Sequence, residues 1–314
     1  MIDVAWGATL TLDNLQVHGF TNEYGGGGAI HNQGALTLSA VTVSRNQSGW
    51  ANQNGSQGQG GAIWSSGSLT LENGTLFENN AAIGGYGGPT CLYCGAAPGN
   101  AYGGAVDIVG GAASISDTTF TGNYAEGGLN TDGVGPSADG FGGALYVGGA
   151  QVVMTNTYIN GNLAIPGRGV VGVSYGGGLY VAGGTVTVAN CTLDSNTTSS
   201  VGAGYGGALF VAGGTVALTN DTVESNTATY GGGLFGAAGT VTLTDCTVQS
   251  NTATYGGGMY VGTVTQPNGW GGIVVYSGAT VYLDPFTFSN AFNNTDSSGT
   301  NGSTANIDGK YILT

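Results

Sequence analysis

The chain has 314 residues and a formal net charge of -14, with 17 acidic residues against three basic ones, Arg45, Arg168 and Lys310. Binding to nucleic acid or to an anionic membrane surface needs clustered Lys and Arg, so neither partner is expected. The sequence contains no long apolar run, and no transmembrane helix is predicted.

Read from the N-terminus, glycine pairs divide the chain at intervals of 25 to 43 residues. The segments Tyr205 to Thr229 and Tyr230 to Thr254 align without a gap. A self-similar period of this length is typical of a solenoid, in which each repeat packs on its neighbours. The first glycines of the pairs are Gly27, Gly60, Gly103, Gly142, Gly176, Gly206, Gly231 and Gly256.

The longer intervals carry their additional residues in one place, just before the next glycine pair. Examples run from Gln47 to Gln59, from Ala81 to Tyr102 and from Tyr124 to Phe141. Insertions confined to one corner of a repeat form loops on one face of a solenoid, often its binding face.

Each interval also contains three short stretches in which apolar residues alternate with polar ones, the pattern of β-strands. In the first stretch, the residues expected to point inward are Ile30, Ile63, Val106, Leu145, Leu179, Leu209, Leu234 and Met259. The second carries apolar pairs such as Leu36/Leu38 and Val216/Leu218. The third contributes Val43, Leu76, Phe120, Ile159, Leu193, Val223 and Val248.

These columns predict an all-β fold, a single right-handed parallel β-helix with three short strands per coil. Its handedness follows from the general preference of parallel crossover connections. About nine coils at ~4.8 Å each give a rod on the order of 43 Å long. One turn of each coil carries an asparagine, a residue that tolerates left-handed backbone. The members of this column are Asn46, Asn79, Asn123, Asn162, Asn196, Asn226 and Asn251.

The pairing of Gly-Gly-Ala-(Ile/Leu/Val) with a later Phe-x-x-Asn, as in Phe120-Thr-Gly-Asn123, resembles a known repeat. It is the repeat of polymorphic outer-membrane and autotransporter-type β-helix proteins. The resemblance covers roughly residues 1 to 290. It implies a secreted or surface protein, and many such proteins are adhesive.

The C-terminal part departs from the repeat. We expect the β-helix to span residues 1–290. A flexible linker rich in Asn, Ser, Thr and Gly should span 291–306, and a strand-like tail should span 307–314. The tail residues Tyr311, Ile312 and Leu313 allow two alternatives. The tail either caps its own last coil or adds as a strand to another copy, which gives head-to-tail filaments.

Two aromatic columns flank the glycine corner. One precedes the glycine pair and the other follows it by four positions, so stacked coils should align them as two ladders. In one interpretation the ladders floor a groove that binds sugar rings or a partner; in the other they only stabilise the coil stack. The candidate binding residues are Tyr102, Phe141, Tyr175, Tyr205, Tyr230, Tyr255, Tyr146 and Tyr180.

The four cysteines point to structure rather than to a metal site. Cys91 and Cys94 lie in the longest insertion, where a local disulfide is expected, because one CxxC without a nearby His cannot complete a zinc site. Cys191 and Cys246 share a column two coils apart, beyond disulfide reach, and are expected to be buried and free. No metal or cofactor is predicted.

The carboxylates are mostly scattered, and Asp194 with Glu224 is the nearest approach to an acid pair on adjacent coils. A polysaccharide lyase or hydrolase needs clustered acids, so no enzyme activity is expected. An outward threonine column resembles ice-binding surfaces, but Val153 and Ala217 interrupt it. The two histidines, His18 and His31, show no evident acid partner in the sequence.

The sequence therefore favours a non-catalytic extracellular or cell-surface solenoid with a structural or adhesive role. Expected partners are other copies of the chain, assembled end to end into a filament, or surface glycans and proteins. The alternative is a carbohydrate-binding or polysaccharide-processing β-helix that uses the aromatic groove, and ice binding is a minor alternative.

Overall fold

The structure is a computed structural model. It describes residues 1–24, 26–52, 55–88, 97–131, 137–167, 172–199, 202–262, 265–267, 273–275, 278–296 and 307–314. The predicted disulfide between Cys91 and Cys94 lies outside these residues.

The chain winds as a parallel β-helix, which confirms the fold predicted from the sequence. Successive coils add one strand each to the same parallel sheets, and the two longest sheets have 10 strands. Coils 1 to 9 each pass through sheets A, B and C, the three strands expected, and short strands between sheets C and A form sheets D and E. We number the coils by their sheet A strands, so that coil 1 begins at Ile2 and coil 10 at Ile307.

The strand bounds follow the three main sheets in order. Sheet A contains Ile2–Val4, Ile30–Asn32, Ile63–Ser65, Val106–Ile108, Leu145–Val147, Leu179–Val181, Leu209–Val211, Leu234–Gly236, Met259–Val261 and Ile307–Gly309. Sheet B contains Thr9–Asp13, Ala35–Ser39, Ser68–Glu72, Ala112–Ser116, Gln151–Thr155, Thr185–Ala189, Thr215–Thr219, Thr240–Thr244, Thr280–Leu283 and Ile312–Leu313. Sheet C contains Gln16–His18, Thr42–Ser44, Leu76–Glu78, Thr119–Thr121, Tyr158–Asn160, Thr192–Asp194, Thr222–Glu224, Thr247–Gln249 and Ala291–Phe292.

The remaining elements are shorter. Sheet D contains Thr21–Asn22, Gln47–Ser48, Ala81–Ile83, Tyr124–Glu126, Leu163–Ile165 and Thr197–Thr198, and Thr252–Ala253 pairs with Thr295–Asp296 further along. Sheet E contains Gly58–Gln59, Ala101–Tyr102, Gly140–Phe141, Val173–Tyr175 and Ala203–Tyr205. One antiparallel hairpin, Thr265–Pro267 with Ile273–Val275, and one helix, α1 at Pro285–Ser289, complete the described elements.

The coils stack in register, so residues distant in the chain become vertical neighbours. Leu209 pairs with Leu234, and Val216 pairs with Val241. The inward columns of sheets A, B and C merge into one buried core along the axis. Full burial of an aliphatic side chain contributes about 1.5–3 kcal/mol, which makes this continuous core the main source of cohesion.

Two column assignments made from the sequence are wrong by one residue in coil 3. Phe77, not Leu76, points inward and stacks on Phe120, with ring centroids 4.9 Å apart. Asn80, not Asn79, joins the asparagine column. The cause is Gly74, an additional residue with φ 79° in the turn before this sheet C strand. Every later residue of this coil is therefore shifted by one position in the sequence.

The asparagines form a buried hydrogen-bonded ladder along the axis. The amide nitrogen of Asn123 donates to the side-chain oxygen of Asn162 at 3.0 Å, and Asn162 donates likewise to Asn196 at 3.0 Å. The same oxygen of Asn162 also accepts the backbone N–H of Asn123. Asn294 extends the ladder into coil 9, a member that the sequence pattern did not reveal.

The C-terminal region differs from its predicted division. Ala291–Phe292 and Thr295–Asp296 pair with coil 8, so residues 291–296 belong to the solenoid and not to a linker. Residues 297–306 lie outside the described part of the chain. The tail strands Ile307–Gly309 and Ile312–Leu313 pair with sheets A and B of the same chain, and they continue the coil path as coil 10.

Coil 9 carries additional residues at two further corners. The hairpin lies between its sheet A and sheet B strands, and α1 lies between its sheet B and sheet C strands. The helix begins with Pro285 and is capped by Asp284, whose carboxylate accepts the N–H of Thr287 at 2.9 Å. Pro at the first helical position and Asp before it are typical N-terminal residues.

Candidate functional site: the aromatic corner and the insertion loops

The first aromatic ladder runs along the glycine corner, as predicted. Each ring lies nearly parallel to the next, with centroids 4.8 Å apart for Tyr230 and Tyr255 and 5.5 Å for Tyr175 and Tyr205. Its members are Tyr102, Phe141, Tyr175, Tyr205, Tyr230 and Tyr255.

The second ladder stands on the outer face of sheet A and meets the first edge to face. Its rings stack at 5.0 to 5.3 Å along Tyr146, Tyr180, Phe210, Phe235 and Tyr260. Tyr175 contacts Phe210 at 4.8 Å with an interplanar angle of 64°. Aromatic pairs in such arrangements are worth about 0.5–1.5 kcal/mol beyond their burial.

Stacking within each ladder covers the ring faces, and edge-to-face contacts between the ladders bury the inner rings. Tyr175 is 2% exposed and Phe210 is 0% exposed, and burial raises the pKa of Tyr205 to about 12. Rings whose faces are occupied by other rings cannot stack on a sugar. This packing supports the interpretation that the ladders stabilise the stack, while a binding role for the eight residues stays a prediction.

The glycine pair makes this corner possible. Gly103 has a φ of 59°, and a Cβ on Gly104 would collide with the carbonyl oxygen of Gly143 in the next coil. The first glycine therefore supplies a left-handed turn, and the second allows the coils to approach closely.

Asp107 replaces a ring in the second ladder. It lies between Trp64 and Tyr146 in the sheet A register and is 1% exposed, and its Oδ1 has no hydrogen-bond partner. Burial raises the pKa of Asp107 well above its ordinary value. No sequence pattern indicated this position, because Asp107 is one of several scattered acids.

His31 has an acid partner that the sequence did not suggest. Its Nδ1 lies 3.0 Å from the carboxylate of Asp3 on the preceding coil, and its ring stacks on Trp64 at 4.6 Å. Register places these three side chains in one column of sheet A. His31 thus continues the second ladder toward the N-terminus as a stacking and pairing residue.

The predicted acid pair lies on the outer face of sheet C. Asp194 and Glu224 are in register on adjacent strands. Asp194 accepts a hydrogen bond from the Tyr158 hydroxyl at 3.0 Å, and Glu224 accepts one from Gln249 at 2.7 Å. Burial, together with the bond to Asp194, raises the pKa of Tyr158. Both acids therefore belong to a surface hydrogen-bonding network.

Cys191 and Cys246 are free and buried, as predicted. They lie in a turn column with Asp221 between them, whose Oδ1 accepts the backbone N–H of Cys191 at 2.6 Å. Burial raises the pKa of Cys191 to about 11 and that of Cys246 to about 12, which keeps both thiols protonated. Their role is to fill and cap the turn between sheets B and C.

The outward threonine column is interrupted in the structure as it is in the sequence. Val153 occupies the position next to Thr187 in the sheet B register, and Ala217 follows it. Ice binding stays a prediction. Within the described ranges, no group of three His, Cys, Asp or Glu is placed to hold a metal ion, and no helix is long and apolar enough to cross a membrane.

The described segments of the insertion loops stack on one another beside sheet D. The N–H of Tyr86 donates to the carbonyl of Ala51 at 2.7 Å, and the N–H of Gly87 donates to the carbonyl of Leu129 at 2.9 Å. The Thr131 hydroxyl bonds to Gly87 at 2.6 Å. The described loop segments therefore form a ledge that repeats the coil-to-coil spacing of the solenoid.

The fold and its ladders define the class of this protein as a parallel β-helix built from glycine-cornered repeats. Residues 117–148 match the Chlamydia polymorphic membrane protein (Chlamydia_PMP) repeat. The matched segment contains Phe120-Thr-Gly-Asn123, so the resemblance seen in the sequence is confirmed at the level of the repeat. Comparison with curated proteins and with solved structures gives no match.

Proposed function

We propose that this chain is a non-catalytic cell-surface solenoid that displays its insertion loops for adhesion. The observation that carries the proposal is that each coil has a part that holds the stack together and a loop that does not repeat. The apolar columns, the asparagine ladder and the aromatic ladders hold coils together, whereas the stacked loops of coils 2 to 5 differ in length and sequence. Loops on a rigid scaffold commonly carry binding residues.

The surface location rests on the repeat family. The repeat matched by residues 117–148 is named for a polymorphic membrane protein, and that name points to the cell surface or outer membrane. The acidic, lysine-poor surface is compatible with contact to basic partners and disfavours nucleic acid.

The experiment removes the loops and keeps the rod. Coil 8 closes the same corner with Ala253, Thr254 and Tyr255 and no insertion. A variant in which residues 49–58, 83–101, 126–140 and 165–174 are each replaced by one threonine copies this closure. Beads coated with the natural protein should adhere to cultured epithelial cells, and beads coated with the variant should not. Equal adhesion by both proteins, with the variant's circular dichroism unchanged, would overturn the proposal.

An exposed apolar cluster on the last coils favours self-association as a second function. Ile312 and Leu313 are 47% and 54% exposed, and Phe288 of α1 contacts Tyr311 beside them. Exposed apolar patches commonly mark interaction sites. Sedimentation velocity should show concentration-dependent association that an Ile312→Lys/Leu313→Lys variant lacks. A natural chain that stays monomeric at every concentration would contradict this function.

A further inference from the structure

A groove of about 440 Å³ crosses the corner between sheets A and B on coils 1 to 4. The structure describes every residue of these four corners. Apart from Trp6 and Gln33, the groove is lined by Gly, Ala, Ser and Thr. None of these described lining residues is charged, although the chain as a whole has a net charge of -14. The groove is thus a neutral site on an acidic molecule.

Unequal corner lengths create this groove. Residues 5–8 join the sheet A and sheet B strands of coil 1, whereas coils 2 and 3 make the same connection with residues 33–34 and 66–67 alone. Coil 4 uses residues 109–111. Because the strands on both sides of the corner stay in register, the longer corners project and the two short ones form the floor. Coils 1 and 4 are about 14 Å apart, three strand spacings.

Trp6 lies on the longest of these corners and is 88% exposed. Gly7, with a φ of 77°, follows it in the turn. No ring of the described residues packs on Trp6, whereas Trp64 of coil 3 stacks on His31. An indole ring offers a large apolar face and one N–H donor, which makes tryptophan a frequent contact residue in binding sites. This ring face is open at the edge of the groove.

Uncharged polar side chains complete the lining. They are Thr9, Gln33, Ser66 and Ser68. Within the described ranges, none of these four side chains has a hydrogen-bond partner in the protein. A hydroxyl group can donate one hydrogen bond and accept two, and a side-chain amide both donates and accepts. The groove therefore presents several free donors and acceptors beside one aromatic ring.

We propose that this groove is a binding site for a short uncharged saccharide. A pyranose ring packs its face of C–H groups on the indole of Trp6, and its hydroxyl groups exchange hydrogen bonds with Gln33 and Ser68. A volume of about 440 Å³ lies within the range of roughly 300–1,000 Å³ that is typical of small-molecule sites. An anionic sugar is disfavoured by the acidic charge of the chain.

The site goes beyond the proposed adhesive function, because the insertion loops lie between sheets C and A and the groove lies between sheets A and B. The loop-replaced variant keeps every residue of the groove. It should bind the saccharide as tightly as the natural chain does, so loop adhesion and saccharide binding can succeed or fail separately.

The test measures saturation-transfer NMR from the full chain to the neutral disaccharides cellobiose, maltose, lactose and di-N-acetylchitobiose. At least one should bind with a Kd on the order of 1 mM, as suits a shallow site. Trp6→Ala should weaken that binding at least about fivefold, because the stacking surface is lost. The matched control is Trp50→Ala, which removes a tryptophan 38% exposed in the first insertion and should leave the Kd unchanged.

A second variant tests the groove without touching the ring. Ser68→Leu, at an exposed strand position, fills the floor and should abolish binding while circular dichroism stays unchanged. Three results would overturn the saccharide site: no binding by any of the disaccharides, equal affinity of Trp6→Ala and Trp50→Ala, or natural affinity in Ser68→Leu. Equal binding of cellobiose and its uronic acid derivative would contradict a preference for uncharged sugars.

Discussion

At the scale of single residues, the asparagine ladder concentrates hydrogen bonds in the apolar interior. Asn162 accepts two hydrogen bonds from Asn123, and its own amide donates to Asn196 and to the carbonyl of Phe120. Every rung is buried, so loss of the Asn162 side chain leaves the backbone N–H of Asn123 and the carbonyl of Phe120, both on the preceding coil, without this partner. An unsatisfied buried group costs about 1–3 kcal/mol.

Asn162→Ala should therefore lower the free energy of unfolding by about 2–6 kcal/mol, since two buried groups lose this partner. Urea denaturation followed by circular dichroism measures this change. The matched control is Asn160→Ala, on the strand that ends just before Asn162, which should stay within about 0.5 kcal/mol of the natural chain. Equal effects of the two substitutions would contradict a ladder that supports the fold.

Buried carboxyl groups should make the fold more stable in mild acid. Burial raises the pKa of Asp139 and of Asp221 to about 6, above the ordinary value of about 3.9. The folded state therefore binds these protons more tightly than the unfolded state does. Their stabilising contribution is complete below about pH 4 and is lost as the pH rises through 6. The lowered pKa of half-buried Asp284 acts only below this window.

Urea midpoints should thus fall between pH 4.5 and pH 7.5. Asp139→Asn should reduce that fall, because its amide oxygen can still accept the N–H of Val173, now bonded at 2.8 Å, but cannot ionise. The contribution of Asp139 is on the order of 2–3 kcal/mol at about 1.4 kcal/mol per pKa unit. Midpoints that rise with pH would contradict this account.

At the scale of elements, the second aromatic ladder is interrupted at one strand. Asp107 stands in the sheet A column where coils 7 and 8 place Phe210 and Phe235. A carboxyl group there stacks on neither Trp64 nor Tyr146, and its buried Oδ1 has no hydrogen-bond partner. The strand of coil 4 is therefore the least cohesive part of this column.

Asp107→Phe should restore the ladder and stabilise the chain by about 1–3 kcal/mol, from removal of an unpaired polar group and gain of ring contacts. Thermal unfolding at neutral pH measures the gain. Asp107→Asn, which keeps an unpaired polar group, is the control and should give a smaller gain. A lower melting temperature for the phenylalanine variant would show that Asp107 has a role that a ring cannot fill.

Strands could be predicted from the sequence wherever a column of equivalent residues repeats from coil to coil without an insertion. Leu209, Leu234 and the first aromatic ladder could be assigned because coils 7 and 8 have the same length. Phe77 was missed because one glycine in a turn displaced the pattern by one position. The loop ledge could not be predicted, because insertions of unequal length have no column to compare and their contacts join different coils.

At the scale of the whole molecule, cohesion passes only between neighbouring coils. Sheet A orders its strands from coil 1 to coil 10 in chain order, with no strand pairing across a skipped coil. In such solenoids, stability is approximately the sum of repeat and nearest-neighbour terms. Damage in one coil should therefore spread to its neighbours and fade beyond them.

Phe77→Ala should cost about 3–5 kcal/mol, as the loss of a buried ring does. Hydrogen exchange should then accelerate at the backbone amides of Leu38, Leu71 and Ile115 in coils 2 to 4. The amides of Leu218 and Leu243 in coils 7 and 8 should keep their protection. Uniform acceleration along the rod would show that the chain unfolds as one unit instead.

The additional glycine at position 74 shows how such a chain tolerates changes in length. The turn is one residue longer at Gly74. Within the same coil, Phe77 and Asn80 are again in register with Phe120 and Asn123 of the next coil. After a deletion or duplication at a corner, the register between coils is thus restored within the same coil. Mutations can therefore change the lengths of individual corners and loops without changing how the coils stack along the axis.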